Sequence, residues 1–90
     1  MNEKLIERKL REAIKQKGGL ALKIFAPFFT GMPDRLILLP GGRVEFVELK
    51  STGDNQTPRQ RIVTKLLLKL GFNVSLIDDQ TKLTAFLNSI

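Results

Sequence analysis

The sequence of 90 residues contains no histidine, no cysteine, no tryptophan and no tyrosine. Without histidine and cysteine the chain cannot form a Ser-His-Asp or Cys-His nucleophile, and it lacks the ligands of an ordinary zinc site. The absence of cysteine also excludes a disulfide framework, so the fold depends on packing or on oligomerisation. Carboxylates, lysines and hydroxyls remain for catalysis, together with a hard metal ion that prefers oxygen ligands, such as Mg²⁺.

Long hydrophobic runs are absent as well. No apolar stretch approaches the length of about 18 residues that a membrane-spanning helix needs. The chain has 15 lysines and arginines but only 9 acidic residues, which gives a net charge of +6. Such a basic excess favours a polyanionic partner, with nucleic acid as the first candidate. We therefore expect a soluble, cytoplasmic protein that binds nucleic acid and has no membrane partner.

The spacing of the hydrophobic residues predicts seven elements in the order α-β-β-β-α-β-α. We expect helices over 3–17 and 58–70 and after Asp78 or Asp79, and strands over 20–25, 34–39, 43–50 and 72–77. Between the second and third strands, Pro40-Gly41-Gly42 has the composition of a turn and predicts a β-hairpin. These elements indicate one α/β domain over residues 1–90, in which helices flank a mixed sheet.

The predicted hairpin brings two acids and a lysine to one end. Because side chains alternate along a strand, Glu48 and Lys50 point to the same side, and antiparallel pairing places Asp34 at the same end. Asp34 and Glu48 can hold Mg²⁺ for hydrolysis of a phosphodiester bond, and Lys50 can orient the attacking water or neutralise developing charge. The alternative is a solvated cross-strand pair without chemistry. The spacing around the turn, the apolar neighbours and the net charge favour the site.

At these positions the sequence resembles a known family. The segments GMPDRL at 31–36 and GGRVEFVELK at 41–50, followed by Gln60, are similar to VRR-NUC, the virus-type replication-repair nuclease domain of the PD-(D/E)XK superfamily. The resemblance extends over nearly the whole chain. It implies the αβββαβ, restriction-endonuclease-like core of that superfamily and a Mg²⁺- or Mn²⁺-dependent endonuclease.

The resemblance also implies roles for individual residues. Asp34, Glu48 and Lys50 match the catalytic acids and lysine of the family, and the backbone carbonyl of Leu49 matches an additional metal ligand. The family places a further glutamate on the first helix. Helical spacing leaves two candidates for it, of which we prefer Glu7 because it lies further from the fraying end, with Glu3 as the alternative.

Three further groups of residues have two interpretations each. Gln60 either closes a capping box with Thr57 at the start of a helix or contributes to the site, as the family pattern implies. Lys23 either contacts phosphate, together with Arg35 and Arg59, or lies along a strand edge. Two phenylalanines in a loop, Phe28 and Phe29, either pack on the core or contact unpaired bases or a second subunit, whereas the other four are expected in the core: Phe25, Phe46, Phe72 and Phe86.

These observations predict a metal-dependent, structure-selective DNA endonuclease in a bacterium or a phage-infected host cell. The similarity to stand-alone phage members implies that it resolves four-way (Holliday) junctions, and a homodimer would provide the two active sites that resolution requires. Two alternatives remain open at this point. The enzyme could act instead on flaps, splayed arms or nicked duplexes, or the chain could be a basic nucleic-acid-binding module without catalysis.

Overall fold

Three helices flank one four-stranded sheet in the computed structural model, which describes residues 1–90. The elements are α1 (Glu3–Gln16), β1 (Leu20–Lys23), β2 (Arg35–Leu39), β3 (Arg43–Leu49), α2 (Pro58–Lys69), β4 (Asn73–Ile77) and α3 (Gln80–Ser89), with a 3-10 turn at Pro40–Gly42. The predicted order and the α/β class are confirmed, and the boundaries differ by one or two residues. No helix is both long and apolar enough to cross a bilayer.

The sheet is mixed, with the strand order β1-β2-β3-β4. β2 pairs antiparallel with both β1 and β3, whereas β4 lies parallel to β3 because α2 provides the crossover between them. Arg35 lies opposite Val47 in the β2–β3 ladder. Continuing this register by one residue on each strand places Asp34 beside Glu48, at the end of the hairpin away from the turn.

Each face of the sheet carries its own apolar core. One face packs against α1 and α3 through a cluster of nine buried residues, Ile6, Leu10, Ile14, Ile37, Val47, Leu49, Ile77, Leu83 and Phe86. The other face packs against α2 through a smaller cluster, Phe46, Val63 and Leu67. Burial of each large apolar side chain stabilises the fold by about 1.5–3 kcal/mol, so the two clusters fix the sheet between its helices.

Polar residues begin all three helices. Oδ1 of Asn2 accepts from the Leu5 N–H at 2.8 Å, and Thr57 forms the predicted capping box at the start of α2. Of the two acids predicted to begin α3, Asp79 is the cap, because its Oδ1 accepts from the Lys82 N–H at 2.8 Å. Such caps satisfy backbone donors that the helix itself leaves unpaired.

The prediction that Phe25 belongs to the core is wrong. β1 ends at Lys23, and Ile24 is the residue that packs against the α2 cluster, so the ring of Phe25 points outward and is 88 % exposed. Phe28 is fully exposed as well, which excludes the core interpretation for its ring. Phe72 is partly exposed and packs edge-on against Phe46, with ring centroids 5.4 Å apart.

Candidate active site

Asp34 and Glu48 lie side by side at the end of the β2–β3 hairpin. Oδ1 of Asp34 accepts a hydrogen bond of 3.0 Å from the backbone N–H of Leu49. The Asp34 carboxylate is therefore fixed by the backbone of the opposite strand. The structure thus brings together the two acids that the hairpin pattern places at one end.

Lys50 lies next to this acid pair. Its Nζ is 3.7 Å from Oε1 of Glu48, and its side chain is mostly buried. The backbone N–H of Lys50 donates to the carbonyl oxygen of Ile77 at 3.1 Å, which ties the residue to the end of β4. A buried ammonium held in this way can neutralise negative charge without the side-chain entropy cost of an exposed lysine.

Gln60 combines the two roles that the sequence leaves open. Its Oε1 accepts from the Thr57 N–H at 2.8 Å and closes the capping box. Its Nε2 donates to Oε1 of Glu48, also at 2.8 Å. The first turn of α2 therefore holds one oxygen of Glu48 in place, so helix capping and carboxylate positioning depend on the same amide.

Burial disfavours the charged forms of both acids, even though Arg35 and Lys50 lie beside them. Burial, followed by the negative charge of Asp34, raises the pKa of Glu48 to about 7, although Lys50 acts in the opposite direction. Burial also raises the pKa of Asp34, with a further contribution from the charge of Glu3, against the hydrogen bond from Leu49 that lowers it. Two adjacent acids with raised pKa values form a site that a cation would stabilise.

A cavity of about 420 Å³ opens beside Asp34, between α1 and the ends of β1 and β2. It is lined only by charged side chains, those of Glu3, Lys4, Glu7, Lys23, Asp34 and Arg35. Both candidate glutamates of the first helix thus face the same cavity. Glu7 forms an ion pair with Arg11 at 3.1 Å, whereas the charge of Glu3 acts on Asp34.

The three basic residues predicted to contact phosphate have different surroundings. Lys23 lines the cavity together with Asp34. Arg35 is largely buried and turns inward, with NH1 3.0 Å from the Asp34 carbonyl oxygen and 3.7 Å from its Oδ1. Arg59 lies over the ring of Phe29, 5.3 Å from its centroid. Lys23 and Arg35 therefore both line the cavity beside Asp34, and Lys23 is the exposed one of the two.

A link between the segment after Lys50 and the end of β4 was not predicted. The Thr52 hydroxyl donates to the Asp78 carbonyl oxygen at 2.7 Å, and the Gly53 N–H donates to Oδ2 of Asp78 at 3.3 Å. These bonds hold the chain that leaves the active site. No local pattern could reveal them, since the partners are separated by about 25 residues in the sequence.

Comparison with known proteins gives a consistent result. The chain is 39 % identical over 80 residues to "Putative nuclease p44" of Acyrthosiphon pisum secondary endosymbiont phage 1, which covers 89 % of this chain and 86 % of the phage protein. A solved structure described as a VRR_NUC domain aligns with a TM-score of 0.89 and 26 % identity, over 96 % of this chain and 94 % of that one. The chain belongs to the VRR-NUC family. No family model matches it.

Membership of the VRR-NUC family confirms the resemblance seen in the sequence and makes this protein a nuclease, an enzyme that hydrolyses phosphodiester bonds. Its fold favours the use of a divalent metal. The donor set fits such an ion, because carboxylate oxygens suit Mg²⁺ and a bound cation would stabilise the charged forms of Asp34 and Glu48, which burial disfavours.

The acids around this VRR-NUC site do not form a complete metal cage. No group of three or more acidic side chains is arranged to hold an ion, so neither Glu3 nor Glu7 joins Asp34 and Glu48 in one cluster. Mg²⁺ typically binds through one or two carboxylates and keeps waters or substrate phosphates as its other ligands. A site with two converging carboxylates is therefore sufficient for a nuclease that acts on a phosphate.

Replacement of Gln60 by alanine in this VRR-NUC domain should separate its two roles. We expect the free energy of unfolding to fall by about 0.5–2 kcal/mol from loss of the cap, and DNA cleavage to fall by about 10–100-fold because Glu48 loses its positioning bond. Urea unfolding and single-turnover cleavage measure the two effects. Thr57→Ala is the matched control, since it removes the cap and leaves the bond to Glu48. Equal losses of cleavage in both variants would show that Gln60 acts only as a cap.

The raised pKa of Glu48 predicts how stability depends on pH in the absence of metal. Between about pH 4.5 and pH 7 the folded protein retains a proton that the unfolded chain releases, so stability falls as the pH rises through this range. Asp34 acts in the same direction. Urea unfolding in a chelator at about pH 5 and about pH 8 tests this. A protein that is more stable at the higher pH would contradict the assignment.

Proposed function

We propose that this protein is a Mg²⁺- or Mn²⁺-dependent, structure-selective DNA endonuclease that resolves four-way (Holliday) junctions as a homodimer, with residues 1–90 forming one catalytic domain. The observation that carries the proposal is the group formed by Asp34, Glu48 and Lys50. The buried carboxylate of Glu48 and the half-buried carboxylate of Asp34, both with raised pKa values, lie beside a mostly buried lysine, next to an open cavity with a charged lining.

In this proposal the chain's own groups bind and orient the reacting phosphate. Lys50 neutralises charge that builds up on the phosphate in the transition state, or orients the attacking water through its remaining N–H donors. Gln60 holds Glu48 by its 2.8 Å hydrogen bond, and Lys23 contacts a phosphate oxygen from the cavity wall. Because Lys50 is held by packing and Gln60 by hydrogen bonds, these two groups need little reorganisation during the reaction.

The metal would be held by Asp34 and Glu48, with the backbone carbonyl of Leu49 as a further ligand. Glu7, or Glu3 in its place, would join them if its side chain turned from the cavity wall toward the acid pair. Bound there, the metal would supply Lewis acidity and lower the pKa of a coordinated water. The effect of Glu3 on the pKa of Asp34 makes Glu3 a stronger alternative than the sequence suggests.

Exposed apolar residues support the proposed dimer. On the face of the sheet that carries α2, the β1 side chains Leu20 and Leu22 remain exposed. Ile62 and Leu66 on α2 are exposed too, as is Leu70 at its C-terminal cap, and these three are spaced four residues apart. A domain of this size buries a limited fraction of its apolar surface by folding alone. A second copy would cover more of it and supply the second active site that a junction requires.

The distribution of positive charge supports recognition of DNA shape. Lysines and arginines occur on all three helices and on β1, β2 and β3, and most of them are exposed. Contacts from such scattered charges go mainly to the phosphate backbone, which positions the protein without reading base sequence. A branched DNA with several converging backbones matches this surface better than a specific sequence would.

Cleavage of a labelled four-way junction tests the proposal. With Mg²⁺ or Mn²⁺ we expect paired cuts in two strands of like polarity, and light scattering should give twice the mass of one chain. Faster cutting of flaps, splayed arms or nicked duplex by a monomer would replace the junction assignment with the alternative substrates. Binding to all of these DNAs without cleavage of any would overturn the proposed function.

A further inference from the structure

The connection between β1 and β2, residues 24–33, exposes aromatic rings that the fold does not use. The ring of Phe25 is 88 % exposed and that of Phe28 is fully exposed. Phe29, by contrast, lies under the guanidinium of Arg59. We call residues 24–33 the aromatic loop. Large exposed rings on a small protein indicate an interaction surface when the backbone that carries them is fixed.

The base of the aromatic loop is firmly anchored. Pro33 is fully buried, and Nε of Arg59 donates to the Thr30 carbonyl oxygen at 3.1 Å. Gly31 adopts a φ of +90°, and a Cβ at this position would lie 2.8 Å from Cγ of Arg59. Only glycine fits such a close approach with a positive φ. The loop is therefore attached to α2 while its rings project into solvent.

The aromatic loop begins and ends at the candidate active site. The N–H of Ile24 donates to the carbonyl oxygen of Asp34 at 2.9 Å, which closes the loop beside the acid pair. Lys23, the residue before the loop, lines the cavity that contains Asp34. A ligand that reaches the acid pair therefore passes close to the exposed rings.

The charges around the loop indicate the chemistry of this ligand. Lys23 lies two residues before Phe25, Arg59 lies over the ring of Phe29, and the chain as a whole carries a net charge of +6. These charges attract phosphates. Alternating rings and cations match single-stranded nucleic acid, in which bases stack on aromatic side chains while the backbone lies on basic residues. Paired bases in an intact duplex are already stacked on each other and are not free to bind the rings.

We propose that Phe25 and Phe28 stack on unpaired bases next to the phosphate that is cleaved, so that the aromatic loop selects DNA in which single-stranded or branch-point bases adjoin the scissile strand. This inference rests on the proposed DNA cleavage at the Asp34–Glu48 site. It adds a recognition element that reads unpaired bases without regard to their sequence, because every base has a face on which a ring can stack.

The double variant Phe25→Ala/Phe28→Ala tests the inference. Binding to an oligo(dT) strand, measured by fluorescence anisotropy in a chelator, should weaken by about 10- to 100-fold. Single-turnover cleavage of a splayed-arm duplex should fall by a similar factor, while binding to fully paired duplex stays unchanged. Phe25→Tyr/Phe28→Tyr keeps both rings and should retain the binding to oligo(dT). The melting temperature should stay unchanged, since neither ring is in the core.

The other outcomes of this experiment overturn either the stacking proposal or the proposed function. Unchanged binding to oligo(dT) in the alanine variant, or an equal loss on paired duplex, overturns the stacking proposal. A change of the alanine variant from dimer to monomer with unchanged affinity for oligo(dT) assigns the rings to a subunit contact and also overturns it. If the unmodified protein binds oligo(dT) through these rings but cleaves no DNA, the proposed function fails and the stacking site stands.

Discussion

Replacement of Glu48 by glutamine is expected to lower DNA cleavage by about 10²–10⁴-fold, because several kcal/mol of metal-assisted stabilisation of the transition state are lost. The same change should raise the free energy of unfolding of the metal-free protein by about 1–3 kcal/mol at about pH 8. The physical reason is the pKa of Glu48, which burial raises to about 7. At the higher pH the fold carries a buried charge that glutamine does not have. Single-turnover cleavage and urea unfolding in a chelator measure the two effects.

Glu45→Gln is the matched control for this experiment. Glu45 lies on the same strand and is equally buried, but it faces the other side of the sheet, where its Oε2 accepts from Arg43 at 3.3 Å and from Asn73 at 3.0 Å. Loss of this paired charge should lower stability by about 1–2 kcal/mol and leave cleavage unchanged. If Glu48→Gln raises the free energy of unfolding and Glu45→Gln lowers it, the carboxylate of Glu48 serves the reaction and that of Glu45 stabilises the fold. Stabilities that fall equally in both variants would contradict this distinction.

The second large effect is expected at Lys50. Replacement by methionine keeps the length of the side chain and removes its charge, so cleavage should fall by about 10²–10³-fold. Lys50 also lowers the pKa of Glu48 by its positive charge. Without it that pKa rises further, and the residual activity should increase with pH over a higher range than in the unmodified enzyme. Rates of cleavage across a pH series measure both the loss and the shift.

Lys65→Met serves as the control for Lys50→Met. Lys65 is exposed on α2 and has no contact with the acid pair, so its loss should weaken DNA binding slightly and leave the pH profile in place. If both variants lose the same small fraction of activity, Lys50 contributes only general electrostatic attraction. A loss at Lys50 without any shift of the pH profile would show that it does not act on Glu48.

Most of the fold could be predicted because the boundaries of its elements are marked by local chemistry. Leu10 and Ile14 follow the helical period of α1 and are buried as expected. The turn of the hairpin required glycine, since Gly41 and Gly42 have φ values of 81° and 76°. Antiparallel pairing in this hairpin brings Asp34 beside Glu48, so the position of the acid pair could be predicted from the sequence.

The direction of a side chain was harder to predict in segments where apolar and polar residues do not alternate. β2 is apolar on both faces, so its sequence does not show that Arg35 points toward the α1 side and pairs with Asp34. Phe25 was misplaced because a strand that ends two residues earlier frees the following side chains from the alternation of the sheet. Which helical glutamate acts on Asp34 also depends on tertiary packing, and the helical period does not distinguish Glu3 from Glu7.

Cleavage by Asp34→Asn compared with the unmodified protein tests the central claim most directly. Both proteins are incubated with the same end-labelled four-way junction, with Mg²⁺ or Mn²⁺ and with a chelator, and the products are separated on a denaturing gel. We expect cuts only for the unmodified protein with a divalent metal, and retained DNA binding by Asp34→Asn. Full cleavage by Asp34→Asn, or cleavage by the unmodified protein in the chelator, would contradict the central claim.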